Sequence, residues 1–128
     1  MNSIVGIAAR ALFQQIKEND GCLTNEILLG LYFIFKKIAQ EALTILEEGK
    51  ITELLAPSGR SFYQMEGKNE EYLCFTHFCT CPSFMFSVIL RQESPLCKHQ
   101  LAACLGEAMG CIPKKPISEE MYEKAMLE

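Results

Sequence analysis

Two closely spaced pairs of possible metal ligands stand out in the sequence. Cys79 and Cys81 are separated by one residue, and after fifteen intervening residues Cys97 and His99 repeat that spacing. Zinc is bound in proteins by four nitrogen or sulfur donors arranged as a tetrahedron. Three cysteines and one histidine complete this set and leave no coordination position open. The pattern therefore predicts one zinc ion with a structural role, because catalytic zinc sites keep a position for water.

The alternative interpretation is that these thiols are unbound and packed in the core. An unbound cysteine behaves as a small apolar side chain, and this interpretation would suit any one of them alone. Two tight pairs make it less favourable than metal binding. The sequence contains seven cysteines, an odd number that excludes complete internal disulfide pairing. Since no signal peptide is recognisable at the N-terminus, we expect an intracellular protein with reduced thiols.

Other residues are weaker candidates for chemistry. Cys74 and His77 are a second pair of possible ligands, but they are an odd number of positions apart on a predicted strand, so their side chains are expected on opposite faces. Side chains alternate across a strand, so both could face one metal only if the strand contained a bulge. Cys104 is expected in the core, and neither Cys22 nor Cys111 has an evident metal partner. Since no phosphate-binding loop and no open metal site with a carboxylate base are recognisable, we expect no enzymatic activity and no small-molecule substrate.

Length and composition indicate one compact domain that is partly covered by a partner. The chain has 128 residues, of which 49% are hydrophobic and 22% charged. Its mean hydropathy of +0.10 is high for a small monomer, which has much surface and little interior. The formal net charge of −4 argues against strong autonomous binding to nucleic acid. The longest apolar run, Ile27 to Phe35, is too short to span a bilayer, so we expect no membrane association.

Apolar periodicity predicts two helices in the first half of the chain. Residues 3–18 have apolar side chains at intervals of four, and residues 24–48 are predicted as a second helix, capped by the threonine at its start. The main apolar stripe of the second helix comprises Leu28, Leu31, Phe35, Ile38, Ala42 and Leu46. Leu29, Tyr32 and Phe33 lie beside it. Because a helix that is apolar on two faces is buried on two faces, we expect these three residues to contact a partner, unless they pack internally against the first helix.

The second half of the chain begins with strands and returns to helices. Residues 61–65 and 72–78 are predicted as two antiparallel strands. Residues 84–90 are apolar and fit either a helix or a strand, and they are a second candidate surface for a partner. Residues 98–109 are predicted as a helix that carries the second ligand pair at its start. A last helix runs from residue 118 to the C-terminus, with acidic side chains at its positive end.

The residues around the metal motif resemble those of a known family. Cys79-x-Cys81, a variable loop and Cys97-x-His99-x-x-Ala102 match the pattern of the SWIM zinc finger. The surrounding sequence is similar to that of the small SWIM-domain subunits of Shu complexes, and the similarity is carried by Pro57-Ser58-Gly59-Arg60, Tyr63-Gln64, Cys81-Pro82-x-Phe84-x-Phe86-Ser87-Val88 and Leu96-Cys97-Lys98-His99. The resemblance covers residues 24–111 and is weak at both ends of the chain.

The resemblance and the predicted elements together imply an α+β fold with three regions. Residues 1–56 form an N-terminal helical region. Residues 57–111 form a SWIM-type zinc module, in which a two-stranded antiparallel hairpin is followed by a helix. Residues 112–128 form a C-terminal linker and helix.

The resemblance also implies a role as a non-enzymatic partner subunit. Proteins of this kind pair with a RecA-like recombinase paralogue, and the complex promotes recombinase filament assembly in homologous recombination DNA repair. We therefore expect a nuclear location, and contact with single-stranded DNA through the complex. The alternative is an autonomous zinc-finger module that binds nucleic acid. For that alternative the candidate contacts are Arg60, Lys68, Arg91 and Lys98, which otherwise are solvated surface charges.

Overall fold

Helices and strands occupy separate parts of the fold, which confirms the predicted α+β class. The computed structural model describes residues 4–67, 70–75, 78–82, 84–90 and 95–127. Lys68, His77 and Arg91, which were considered above, lie outside these ranges. Within the described ranges, no helix combines the length and the apolar character that crossing a bilayer requires.

The helical part consists of five α-helices and one π-helical segment within the described residues. The α-helices are α1 (Ile4–Glu18), α2 (Asn25–Phe35), α3 (Lys37–Glu47), α4 (Lys98–Met109) and α5 (Glu119–Leu127). The apolar run Phe84–Leu90, which was ambiguous in sequence, forms the π-helical segment. The helices predicted over residues 3–18, 98–109 and 118 to the C-terminus are therefore present close to their expected bounds.

The described residues also form one five-stranded sheet. Its strands are β1 (Ile51–Leu55), β2 (Ser61–Glu66), β3 (Glu71–Phe75), β4 (Phe78–Cys79) and β5 (Lys114–Pro116). Their spatial order is β4-β3-β2-β1-β5. Neighbouring strands are antiparallel, except that β5 runs parallel to β1.

The sheet separates two hydrophobic clusters, because successive side chains of a strand point to opposite faces. On one face, Met65 and Cys74 belong to the main core, together with buried side chains of α1 to α4. On the other face, Phe62 packs against Tyr122 of α5, with ring centroids 5.9 Å apart. Helices α1 to α4 therefore share one face of the sheet, and α5 covers the other.

Arg60 holds α5 against the turn between β1 and β2. Its Nη2 atom lies 2.7 Å from Oε2 of Glu119, and its guanidinium carbon lies 4.5 Å from the ring centroid of Tyr122. The hydrogen bond from Arg60 lowers the pKa of Glu119 to about 2. Arg60, which was considered above as a possible DNA contact, thus takes part in packing within the chain.

The prediction of a single helix over residues 24–48 is wrong, because the chain breaks at Lys36. This residue lies between α2 and α3 and has φ of 56° and ψ of −129°. No glycine or proline marks the position, so the sequence carries no local signal for the break. The buried side chains are Ile27, Leu31 and Phe35 on α2 and Ala39 and Ala42 on α3, whereas Leu28, Ile38 and Leu46 of the predicted stripe are only half-buried. Tertiary packing outweighs local helix propensity here.

The sheet is larger than the predicted hairpin. β2 and β3 coincide with the two predicted strands, but the chain reverses after Phe75, so that Phe78 lies opposite it on β4. Residues 51–55, within the region predicted as helical, form β1 and pair with β2 on one side and β5 on the other. Pairing between distant segments depends on their tertiary neighbours, and it therefore leaves little trace in local sequence.

Gly21 lies where the loop after α1 meets the end of α4. Its φ is +79°, and a Cβ atom built there would lie 2.5 Å from the carbonyl oxygen of Met109. Gly49 follows α3 and also has a positive φ, of +65°, but no atom of the described residues lies within 4 Å of its equivalent Cβ position. The two glycines therefore distinguish backbone strain alone from strain combined with close packing.

We expect Gly21→Ala to destabilise the chain more than Gly49→Ala. A left-handed conformation costs a non-glycine residue about 1–2 kcal/mol at either position. At Gly21 the new methyl group also collides with the Met109 carbonyl, which adds about 1–3 kcal/mol for overpacking. Chemical denaturation of the two variants measures the difference in their free energies of unfolding. Equal losses would contradict the close approach of this loop to α4.

Candidate metal centre

The four predicted ligands come together where the edge of the sheet meets the start of α4. Cys79 ends β4, Cys81 follows in a bend, and Cys97 and His99 lie at the beginning of α4. All four side chains are buried, with exposed fractions of 6% or less. Their ligand atoms lie within 4.8 Å of one another. The fold thus assembles the predicted donor set from two separate segments of the chain.

The dimensions of this cluster suit a tetrahedral zinc ion. With Zn–S distances of about 2.3 Å and Zn–N distances of about 2.0 Å, the edges of the tetrahedron measure about 3.5–3.8 Å. Cys79 Sγ lies 3.7 Å from His99 Nδ1, which matches one such edge. Nδ1 is therefore the imidazole nitrogen that faces a cluster sulfur. Thiolate and imidazole donors favour zinc over magnesium or calcium, which prefer oxygen.

Local hydrogen bonds hold Cys97 at the N-terminus of α4. Its sulfur accepts a hydrogen bond from the backbone N–H of Gln100 at 3.4 Å, and its own N–H donates to the side-chain oxygen of Gln100 at 3.0 Å. This reciprocal arrangement is a capping box in which cysteine replaces the usual serine or threonine. The free N–H groups and the helix dipole favour a negatively charged sulfur at this position.

The three thiols of the cluster compete for negative charge. Hydrogen bonds from Cys79 and Cys97 lower the pKa of Cys81, which makes this sulfur the preferred thiolate. The hydrogen bond with Cys74 raises the pKa of Cys79, and the hydrogen bond with Cys79 raises the pKa of Cys97 despite its place at a helix start. Further thiolates in a buried site are costly unless a cation lies between them. A divalent metal ion that displaces the thiol protons meets this requirement.

Aromatic rings cover parts of the cluster. The ring centroid of Tyr72 lies 5.0 Å from that of His99. Phe84, whose N–H donates to the Cys81 carbonyl at 3.3 Å, meets Phe78 edge to face with centroids 5.5 Å apart. Exclusion of water lowers the local dielectric and strengthens the attraction between a cation and thiolates.

Cys74 is a fifth thiol beside the cluster, which the sequence interpretation did not place there. It is 1% exposed and lies directly opposite Cys79 in the β3–β4 pairing, and its thiol donates to the carbonyl of Phe75 at 3.7 Å. Residues 72–78 were expected to form one strand, in which Cys74 and Cys79 would lie far apart. The two cysteines meet because Phe75 and Phe78 instead belong to two antiparallel strands. His77, the other member of the second pair of possible ligands, lies outside the described residues.

The three other cysteines are not part of the group of possible metal ligands found among the described residues. Cys104 is half-buried on α4, and burial raises the pKa of its thiol. Cys22 and Cys111 are exposed.

The predicted partner-binding residues of α2 face solvent, away from the buried donors. Leu29 is 70% exposed and Phe33 is 85% exposed, so neither packs internally against the first helix. Tyr32 is 37% exposed, and its hydroxyl donates to Gln40 of α3 at 2.6 Å. We call Leu29, Tyr32 and Phe33 together the α2 apolar face. Leu29 and Phe33 are its most accessible members.

Comparison with known proteins extends the resemblance of the metal motif to most of the chain. No protein-family model matches the chain, and no solved structure gives a significant match. The chain is 34% identical over 128 residues to zinc finger SWIM domain-containing protein 7 of Danio rerio, an alignment that covers 93% of this chain and 89% of the relative. It is 36% identical over 108 residues to the protein of the same name from Homo sapiens, with 82% and 77% covered.

A third relative, the homologue of the same protein in Dictyostelium discoideum, is 34% identical over 122 residues, which cover 92% of this chain and 77% of the relative. These alignments include the metal motif and extend well beyond it. The chain therefore belongs to the family of zinc finger SWIM domain-containing protein 7.

Proposed function

We propose that this chain is a non-enzymatic, zinc-stabilised subunit of a Shu-type complex. It pairs with a RecA-like recombinase paralogue and promotes the assembly of recombinase filaments on single-stranded DNA, during homologous recombination DNA repair in the nucleus. The resemblance to the SWIM subunits of Shu complexes supports the partner and the process. The buried set of three cysteines and one histidine is the observation that supports a structural role over a catalytic one.

The donor set supports a closed metal site. Catalytic zinc usually has three protein ligands and a bound water, whereas four protein ligands fill a tetrahedral shell. A zinc hydrolase also needs a general base beside the metal-bound water. In the part of the chain that the structure describes, no aspartate or glutamate belongs to the cluster.

One zinc ion at this cluster would join the short strand β4 to the first turn of α4. Metal binding at such a site is coupled to folding, so the ion stabilises the segment between its two ligand pairs. Within that segment, Met85, Ile89 and Leu90 are 47%, 49% and 64% exposed. The metal would thereby order a second apolar surface for the partner.

The α2 apolar face is the first surface assigned to the partner. Large exposed apolar side chains that lie close together on a helix mark interaction sites more often than scattered ones do. Leu29 and Phe33 are four residues apart on α2, so they lie on the same side of the helix. The hydrogen bond from Tyr32 to Gln40 connects this face to α3.

Contact with DNA is assigned to the complex and not to this chain alone. Arg60 is bonded to Glu119, and Lys98 Nζ lies 3.5 Å from Glu41 Oε2. These pairings reduce the positive charge that either cation can offer to phosphate. The net charge of −4 acts in the same direction.

The purified chain is expected to contain one zinc ion, and Cys79→Ser or His99→Ala is expected to lose it. Each variant removes one of the four donors, and the zinc module should then unfold because metal binding supplies folding free energy. Elemental analysis and circular dichroism, with and without a chelator, measure both effects. Cys22→Ser is the control, since this exposed cysteine lies outside the cluster. Two ions per chain, or equal zinc loss from Cys22→Ser and Cys79→Ser, would contradict the assignment.

Replacing Leu29 and Phe33 with serine should weaken binding to a recombinase paralogue while zinc stays bound. Central apolar anchors typically contribute about 2 kcal/mol or more each. Tyr32 is kept, because its hydrogen bond to Gln40 supports the packing of α2 on α3. Co-purification and titration calorimetry report the affinity, and elemental analysis reports the zinc.

The matched control carries the same kind of substitution on α5, where Met121 and Leu127 are 57% and 89% exposed. Met121→Ser with Leu127→Ser should leave the affinity unchanged. A loss of binding in the α5 variant and not in the α2 variant would show that the interface lies on the opposite face of the sheet.

The isolated chain is expected to bind single-stranded DNA weakly, with little dependence on salt. A protein that neutralises several phosphates loses affinity steeply as salt rises, because it releases bound counterions. Fluorescence anisotropy across a salt series, on the chain alone and on the complex, measures the two slopes. A steep slope for the chain alone would favour the autonomous nucleic-acid module instead.

A further inference from the structure

In the hairpin formed by β3 and β4, Cys74, which is not a predicted zinc ligand, lies beside Cys79, which is one. Cys74 and Cys79 are direct partners in the pairing of the two strands. One position further from the turn, the backbone N–H of Thr80 donates to the carbonyl of Leu73 at 3.0 Å. Hydrogen-bonded and non-hydrogen-bonded pairs alternate in an antiparallel ladder, so Cys74 and Cys79 form a non-hydrogen-bonded pair.

This position suits a disulfide. In non-hydrogen-bonded pairs the Cα atoms are about 4.5 Å apart and the side chains are close, and disulfides span Cα separations of about 4.4–6.8 Å. Both side chains are buried, and as direct cross-strand partners they lie on the same face of the hairpin. An S–S bond between them would therefore require only a small rearrangement of the hairpin.

A cavity borders one of the two cysteines. Cys74 is 1% exposed, but it lines a cavity of about 190 Å³ between β2, β3 and α4 that opens to solvent. Hydrogen peroxide is little larger than water, whose share of liquid volume is about 30 Å³, so it fits this space. Cys104 also lines the cavity, and its thiol interacts with Glu107 and Lys17.

We propose that Cys74 and Cys79 are an oxidation site, at which a peroxide entering this cavity converts the two thiols into a cross-strand disulfide. The inference rests on the proposed zinc site, because its consequence is the loss of a ligand. Cys79 in a disulfide cannot act as a thiolate donor, and only Cys81, Cys97 and His99 then remain of the ligand set. Oxidation therefore releases the metal, and reduction restores the site.

The reaction balances with the peroxide as the only oxidant. The Cys74 sulfur attacks one peroxide oxygen, the O–O bond breaks, and the departing hydroxide takes the thiol proton to give water and a sulfenic acid. The Cys79 sulfur then attacks the Cys74 sulfur, the S–S bond forms, and the S–O bond breaks. The second hydroxide takes the Cys79 proton, or a proton from solvent where Cys79 was a thiolate ligand. The two sulfurs lose two electrons, which the peroxide gains.

Two measurements on the purified, reduced, zinc-containing chain test this proposal. The first treats the chain with hydrogen peroxide, digests it with chymotrypsin, which cleaves after Phe75 and Phe78, and maps disulfides by tandem mass spectrometry, which distinguishes Cys79 from Cys81 on their common fragment. We expect the fragments that carry Cys74 and Cys79 to be joined, and dithiothreitol to separate them. Wild-type protein that releases zinc without this link, or that links Cys79 only to Cys81 or Cys97, would overturn the proposal.

The second measurement follows peroxide-triggered zinc release with a chromogenic chelator. Cys74→Ser keeps all four ligands and should release zinc several-fold more slowly than wild type, while Cys104→Ser in the same cavity should release it at the wild-type rate. Equal rates for wild type and Cys74→Ser would overturn the proposal. Absence of zinc from the untreated protein would instead contradict the proposed metal site, and the disulfide map of the metal-free chain would still decide whether the cysteine pair reacts.

Discussion

Three sulfur atoms and one imidazole share a buried space in which their ligand atoms lie within 4.8 Å of one another. The pKa of Cys81 is lowered and the pKa values of Cys79 and Cys97 are raised, which is the pattern expected when closely packed sulfurs compete for negative charge. A single divalent cation removes the competition, because it attracts every donor at once. β4 contains only two residues and is too short to be stable by its own backbone pairing. The four side chains of this cluster therefore connect the sheet edge to the start of α4.

The opposite face of the sheet is held by different forces. There α5 packs its Tyr122 ring on Phe62, while Arg60 bridges to Glu119 and covers the Tyr122 ring. None of these residues is a metal ligand, so this half of the fold does not need the ion directly. The chain thus combines a hydrophobic core of ordinary composition with one junction that ligand chemistry stabilises. That division explains how a domain of this size can place two thiol-rich segments against each other without disulfides.

The break at Lys36 divides this part of the chain into two helices that bury different kinds of side chain. α3 turns its buried alanines, Ala39 and Ala42, into the main core, and α2 keeps Leu29 and Phe33 exposed. Small side chains allow helices to approach closely, so α3 and α4 can pack tightly beside the metal ligands. The α2 apolar face is therefore presented on a support that is connected through α3 to the helix carrying Cys97 and His99. The proposed partner surface and the metal ligands therefore lie on different helices, α2 and α4, with α3 packed against both.

Features that depend on nearby residues could be predicted from the sequence. The ligand set could be recognised because a metal site needs particular donors at short spacing. The end of α4 could be predicted because Gly110 readily adopts the left-handed conformation that ends a helix. Strands β2 and β3 follow from local alternation. Features that depend on distant residues became evident only in the folded chain: the break at Lys36, the strands β1 and β5, and the placement of Cys74 against Cys79. A backbone segment such as β1 becomes a strand only when partners separated from it in sequence satisfy its hydrogen bonds, and no local pattern records where those partners will lie.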